Sequence, residues 1–212
     1  MATTYLSRTP SSAGNRNKWT ISFWVKRSKL GTTQNLFSCF QNSNYMTRCE
    51  FMTGANSDKL KFQDIYNGSN NVRLDTNALY RDVNGWYHIV IAVDTTEGIA
   101  SNRVKIYVNG ERITSFSTET YPTQETTWNV NGQVHSIGAE NSSSYFDGSM
   151  SHIHFIDGTA YDASYFGSTD SVTGEWKINT SPSVTYGTNG FFILKDGNSV
   201  TDQSGEGNDF TV

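Results

Sequence analysis

The chain has 212 residues, with 16 basic and 20 acidic side chains and a net charge of −4, which gives no electrostatic reason to expect a nucleic acid partner, since that usually demands a basic face. Its 35% hydrophobic and 13% aromatic content can fill a sizeable core and excludes disorder throughout. No apolar run approaches the ~20 residues of a membrane span, and the opening M-A-T-T-Y-L-S-R-T-P lacks the charged and apolar regions of a signal peptide.

Tyr5 and Leu6 begin an ordered segment, and residues 9–17 form a turn-rich loop around Pro10 and Gly14. Residues 19–26 alternate: Trp19, Ile21, Phe23 and Val25 share one face, while Thr20, Ser22, Trp24 and Lys26 share the other. That is the period of a half-buried strand. Residues 36–40 and 46–52 read as a hairpin, 59–65 as a third strand and 70–75 as a weak fourth. Gly54-Ala-Asn, Asn67-Gly68 and Asn84-Gly85 punctuate them. If the hairpin centres near Asn44, Cys39 and Cys49 sit opposite each other, which leaves a cross-strand disulfide and a pair of buried thiols both open.

Residues 86–113 are the predicted centre of the fold. The unbroken apolar run 89–93 requires cover on both faces. After a polar loop over 94–102, Val104, Ile106 and Val108 alternate with Arg103, Lys105 and Tyr107, and Asn109-Gly110 turns the chain tightly into 111–116. Residues 127–130 and 135–138 are expected to pair around Asn131-Gly132. The segment 145–156 reads as a longer strand, with Met150, His152 and His154 on one face and Ser151, Ile153 and Phe155 on the other. Residues 162–166 carry the only hint of helix, one turn, and 191–194 is the last clear strand.

A dozen or more short strands, almost no helix and hairpin turns throughout imply an all-β fold, a two-sheet antiparallel jelly-roll sandwich. One domain over 1–212 is expected, with the Gly-rich tail 196–212 either closing the sheet or leading into a further region. Strand character is predicted at 209–212.

The motifs T-I-S-F-W-V-K-R (20–27), W-Y-H-I-V-I-A-V-D (86–94), V-K-I-Y-V-N-G (104–110), Y-F-D-G (145–148) and F-I-D-G (155–158) resemble laminin-G-like domains of the concanavalin A-like lectin/glucanase superfamily. S-R-T-P-S-S-A-G-N-R, Y-F-G-S-T-D, G-E-W and the tail D-Q-S-G-E-G-N-D-F resemble the version found in structural proteins of tailed bacteriophages, especially marine ones. The resemblance implies a curved jelly roll whose loops bind glycans or protein partners, often with Ca²⁺. It further implies a non-enzymatic virion protein in a tail fibre or surface appendage, assembled in the host cytoplasm. Its partners would be other virion proteins, host-surface glycans and further copies of itself, without nucleic acid or membrane insertion. A purely structural oligomerising adaptor that binds no sugar is the alternative.

Retaining glucanases of that superfamily need two carboxyl groups roughly 5 Å apart. Glu50, Glu111, Glu119 and Glu140 each stand without an acidic partner on their own strand, and no nucleophile elbow or phosphate loop is present. No enzyme is expected, and a glycoside hydrolase is the remote alternative. His152 and His154 could ligate a metal as an H-x-H pair but lack a third ligand, and His88 reads as a hydrogen-bonded core residue. Asp94, Asn102 and Asp147 are the cation candidates. No D-x-[DN]-x-[DN]-G loop supports them, and loop carboxylates commonly cap turns, so Ca²⁺ is the one cofactor in view and none is required. Sugar recognition needs flat aromatic faces beside amides. Loops offer that pairing at Asn44 and Tyr45, at Tyr66, Asn67 and Asn70, at Trp128 and Asn129, and at Asn141 and Tyr145.

Overall fold

The computed structural model describes residues 3–128, 130, 132–197 and 199–212. In chain order the strands are β1 (Leu6–Arg8), β2 (Lys18–Arg27), β3 (Gln34–Asn42), β4 (Tyr45–Phe51), β5 (Lys59–Tyr66), β6 (Ser69–Leu79), β7 (Tyr87–Asp94) and β8 (Val104–Val108). They continue as β9 (Glu111–Arg112), β10 (Phe116–Thr120), β11 (Val134–Ile137), β12 (Gly148–Asp157), β13 (Gly167–Thr169), β14 (Trp176–Ile178) and β15 (Phe191–Ile193). A seven-stranded sheet runs β1-β11-β3-β4-β5-β6-β10, a six-stranded sheet runs β15-β12-β2-β7-β8-β9, and β13-β14 is a separate hairpin. All are antiparallel, and the two large sheets make the jelly-roll sandwich that the turn-rich sequence predicts.

The alternation in β2 sets the core. Trp19, Ile21, Phe23 and Val25 are fully buried, as are Ile89, Ile91 and Val93 of β7, and they meet Phe37, Cys49, Phe51, Phe62 and Leu74 from the other sheet. Burial of each large side chain contributes about 1.5–3 kcal/mol. The expectation that 89–93 is covered twice holds. Val90 points away from the main core into a smaller one with Ile156, Ala163 and Phe166.

Several expectations need correction. The weak fourth strand is the 11-residue β6. The described residues of 127–130 form no strand; β11 pairs with β1 and β3 instead. The turn at 162–166 is the short 3₁₀ segment Ala163–Tyr165, but the loop after β7 also contains an α-turn, Ala100–Arg103, and Gly54–Asn56 is a further 3₁₀ turn. In β12 the register slips between Ser151 and His154, and His152 takes φ +46°. This bulge resets the alternation. Met150, Ile153 and Phe155 therefore all face the main core, and His154 packs on the outer side against Phe192 and Tyr186.

The cysteines are not opposite each other. An irregular β3–β4 register sets Cys39 against Thr47 and Cys49 against Phe37, and both thiols are free and buried. The tail does not form the strand predicted at 209–212 and meets β1 through a single bridge. Thr211 and Ser7 exchange two backbone hydrogen bonds of 2.8 and 3.0 Å, and Phe210 is buried against Phe191.

Candidate functional site: a tryptophan-lined groove

Strand β2 carries two tryptophans five residues apart, an odd spacing that sends them to opposite faces. Trp19 enters the core, and Trp24 faces outward from the six-stranded sheet, between Ser151 of β12 and His88 of β7 in the register. Trp86 enters β7 from the Asn84-Gly85 turn and is 40% exposed. The β13-β14 hairpin brings in Trp176. Three of the chain's five tryptophans thus line one open groove of about 480 Å³, with Ser151, His152, Lys177 and Ile178.

Two of the rings, Trp24 and Trp176, are held by His88, which is fully buried. Trp176 Nε1–H donates to His88 Nδ1 at 2.9 Å, so Nδ1 is the acceptor nitrogen and Nε2–H donates to Ser22 Oγ at 2.8 Å. The indole and imidazole centroids lie 5.9 Å apart at 18°, which with that in-plane bond places the two rings side by side. Trp24 stacks on the same imidazole at 4.9 Å and 19°. Burial pushes the His88 pKa down to about 3, so the ring stays neutral and its tautomer is fixed. Glycine completes the seat. A Cβ on Gly110, which has φ +85°, would stand 2.5 Å from the Trp176 ring. The Asn109-Gly110 turn therefore requires glycine both for its backbone and for this contact.

Polar groups stand at the edges. Ser151 Oγ lies 2.7 Å from His152 Nδ1, burial lowers the His152 pKa, and Lys177 Nζ reaches Asp170 at 2.6 Å. Flat apolar faces bordered by hydroxyl, imidazole and ammonium groups suit the C–H faces and hydroxyls of a pyranose. No Asp or Glu lines the groove.

The predicted glycan residues are dispersed. Tyr45 and Tyr66 are register partners with rings 5.4 Å apart, Tyr45 Oη donates to Asn67 Oδ1 at 3.4 Å, and the Asn44 carbonyl accepts from Gly68 N at 3.1 Å. These four form one cluster at adjoining hairpin tips. Tyr66 and Asn70 also line a polar cleft with Asn71 and Glu125, where Asn70 Oδ1 accepts from Gln63 at 2.6 Å. Trp128 is overturned as a sugar contact. It is fully buried, 5.4 Å from Trp19 and stacked on Phe62 at 5.7 Å. Asn129 lies outside the described residues. Asn141 is an exposed turn residue at φ +44°, and Tyr145 sits 6.1 Å from Tyr5 beside a different cavity.

The cation candidates do not converge. Asp94 binds Lys18 at 2.9 Å at one end of β2, while Asp147 accepts from Ser28 at 3.0 Å beyond the other end, about 30 Å away by strand rise. Asn102 accepts from Arg112 at 3.1 Å. Among the described residues no group of three His, Cys, Asp or Glu side chains could hold a metal, the H-x-H pair included. Trp24, Trp86 and Trp176 were not among the predicted residues, although Trp24 on the polar phase of β2 was a signal for an exposed ring.

No helix among the described residues is long and apolar enough to cross a membrane. No curated protein matches the sequence. Among solved structures, a candidate carbohydrate-binding protein from Bacteroides ovatus is similar at 14% identity and TM-score 0.60, covering 98% of this chain and 55% of its own. A heptameric pentraxin from Limulus polyphemus is similar at 16% identity and TM-score 0.52, covering 92% and 90%. Tailspike protein 2 of Escherichia coli O157:H7 bacteriophage CAB120 gives 11% identity and TM-score 0.49, covering 75% and 21%. The first two similarities extend the likeness of fold over nearly the whole chain, and a laminin-G family model matches residues 2–164. The chain belongs to the concanavalin A-like lectin/glucanases superfamily.

Proposed function

We propose that the chain is a non-catalytic glycan-binding module of a tailed-phage structural protein, carried in a tail fibre or surface appendage, with a saccharide lying along the tryptophan groove. The convergence of Trp24, Trp86 and Trp176 on one open surface is the observation that carries the binding reading. Leaving one exposed and two half-buried indoles on a single open surface is unfavourable unless a ligand covers them, and His88 keeps two of them fixed before any ligand arrives. The phage assignment rests on the resemblance of the N-terminal, G-E-W and tail motifs.

Two features support the absence of catalysis. The groove has no carboxylate in its lining. Glu50 and Asp75 on the seven-stranded sheet and Glu140 in the loop after β11 are each engaged by a cation, respectively Lys61, Arg73 at 2.8 Å and Arg48 at 3.0 Å, and the buried Asp64 is held by Thr47 at 2.6 Å and Asn71 at 2.9 Å. The first three are tied up in ion pairs, and Asp64 is 1% exposed and out of reach of a substrate, so none is placed to act as the acid of a glycosidase pair.

A glycan array followed by titration of the binders under tryptophan fluorescence tests the reading. Trp86→Ala should weaken binding at least tenfold and leave the melting temperature within about 2 °C, because the ring, 40% exposed, belongs to neither hydrophobic core. A blank array together with a discrete oligomer by light scattering would favour the structural adaptor instead. Mass spectrometry of purified particles tests the virion assignment, which absence of the chain would end.

A further inference from the structure

On the outer face of the six-stranded sheet a second cavity, of about 270 Å³, lies over β7 and β8, and it shares no lining residue with the tryptophan groove. Its floor is Ala92. Ile91 and Val93 enter the main core, so Ala92 points outward, and its small side chain leaves a hollow. Lys105 is the register partner of Ala92. Val104, Ile106 and Val108 fill the core, which sends the half-buried Lys105 and Tyr107 to the same outer face. The opposite wall, residues 159–165, is clamped to β2 by the fully buried Thr20, whose Oγ1 donates to Thr159 O and accepts from Tyr161 N, both at 2.8 Å.

Two polar side chains on this cavity are each fixed at one end and open at the other. Asn102 Oδ1 accepts from Arg112 at 3.1 Å, which leaves its amide nitrogen to donate. Asp162 Oδ1 accepts from Ser164 N at 2.9 Å and from Ser164 Oγ at 2.5 Å, which leaves Oδ2 without a protein partner among the described residues. The Lys105 ammonium likewise makes no ion pair or hydrogen bond with a described residue. Solvent reaches all three, since Asp162 is exposed and Asn102 and Lys105 are half-buried. Burial first and the Asp162 charge second raise the Tyr107 pKa, against a smaller lowering by Arg112, which puts Asp162 and the partner of Asn102 within electrostatic reach of one phenol. One free carboxylate and one free ammonium favour a neutral ligand. A sugar hydroxyl donates and accepts at once, so an acceptor at Asp162 beside donors at Asn102 and Lys105 complements it. Tyr161 and the 42% exposed Tyr165, with ring centroids 4.4 Å apart, offer a surface for C–H groups. The volume, just below the roughly 300 Å³ at which small-molecule pockets begin, suits a single ring.

We infer that the cavity over Ala92 is a second saccharide subsite, taking one neutral pyranose unit whose hydroxyls meet Asp162, Asn102 and Lys105. It does not rest on the tryptophan groove. Asn102, expected from the sequence as a cation ligand, serves here as a hydrogen-bond donor.

The test is a ¹H–¹⁵N titration of the whole chain with glucose, galactose, mannose, N-acetylglucosamine and glucuronic acid at millimolar concentration. At least one neutral sugar should shift the backbone amides of 102–107 and 161–165 saturably. In Asp162→Asn, Ser164 N keeps the amide oxygen turned inward and an NH₂ group replaces the open acceptor; Lys105→Met removes the ammonium and keeps the stem. Each should weaken this binding roughly tenfold and leave the melting temperature within about 2 °C. The indole N–H signals of Trp24, Trp86 and Trp176 report the other groove separately, so either site can fail alone. The inference is overturned if no neutral sugar moves those amides, if glucuronic acid alone does, or if both variants bind as the parent chain does.

Discussion

Replacing His88 by leucine tests whether one buried imidazole fixes the groove. The substitution keeps an apolar side chain of similar size between Trp24 and Trp176 but removes both ring nitrogens. Ser22 Oγ, fully buried, loses its partner, and Trp176 Nε1 loses its acceptor. One stranded buried hydroxyl and one lost bond at a half-buried indole together cost about 2–4 kcal/mol, or roughly 5–15 °C in melting temperature for a chain of this size. The cost should depend on pH in a defined direction. The His88 pKa is lowered from 6.5 to about 3 on folding. Its contribution is therefore fully present above 6.5 and is lost as pH falls toward 3, because the unfolded chain takes up the proton first. Between pH 7.5 and 5.5 the parent chain loses about 1.4 kcal/mol through this residue, and the leucine variant does not. His135, His152 and His154, whose pKa values burial also lowers as the largest cause, are present in both proteins; His88 adds to the lowering at His154 only as a lesser cause, so the difference between the two proteins is dominated by His88 itself. Urea unfolding at the two pH values should show the gap narrowing by that amount, with weaker sugar binding at both. A gap that is the same at pH 7.5 and 5.5 would refute the claim that folding locks His88 neutral.

Three further outcomes follow from the packing. Trp128→Ala should destabilise by about 3–5 kcal/mol in urea unfolding while the folded fraction keeps its affinity for sugar, because that ring fills the core. Phe210→Ala should cost about 3–5 kcal/mol by the same assay, since Phe210 is 3% exposed and 4.7 Å from Phe191; an unchanged midpoint would mean the tail does not close the sandwich. Burial, reinforced by Asp64 near Cys39 and by Glu50 near Cys49, raises both thiol pKa values. Neither should react with a disulfide reagent at pH 8 until the chain is unfolded, when two thiols should appear.

Period-2 patterning predicted β2 and β8, and an unbroken apolar run predicted β7, because each has at least one face committed to a core, and in β2 and β8 a slip of one residue would expose it. The same rule failed in β12. A single bulge at His152 is invisible to a pattern that assumes constant phase, so the predicted faces were wrong up to that point and the two histidines were joined as a pair. Residues 127–130 failed for another reason. Trp128 and Val130 are buried as plugs from a loop, and a loop residue has no phase from which burial can be read.

The tryptophans show where the boundary of legibility falls. Trp19 and Trp24 share a strand, so their odd spacing alone separates core from surface. Trp128 and Trp176 are both reached by long excursions of the chain, and nothing local distinguishes the one that disappears into the core from the one that lies over the sheet. The distinction is made by partners from other segments. Trp176 is set by His88, by Gly110 and by Gly167, each 9 to 88 positions away, and Trp128 by Trp19 and Phe62. A groove assembled from three such segments is a property of the sandwich as a whole, which is why amide-rich hairpin tips, each complete within a few residues, were the more readable but less concentrated aromatic surfaces.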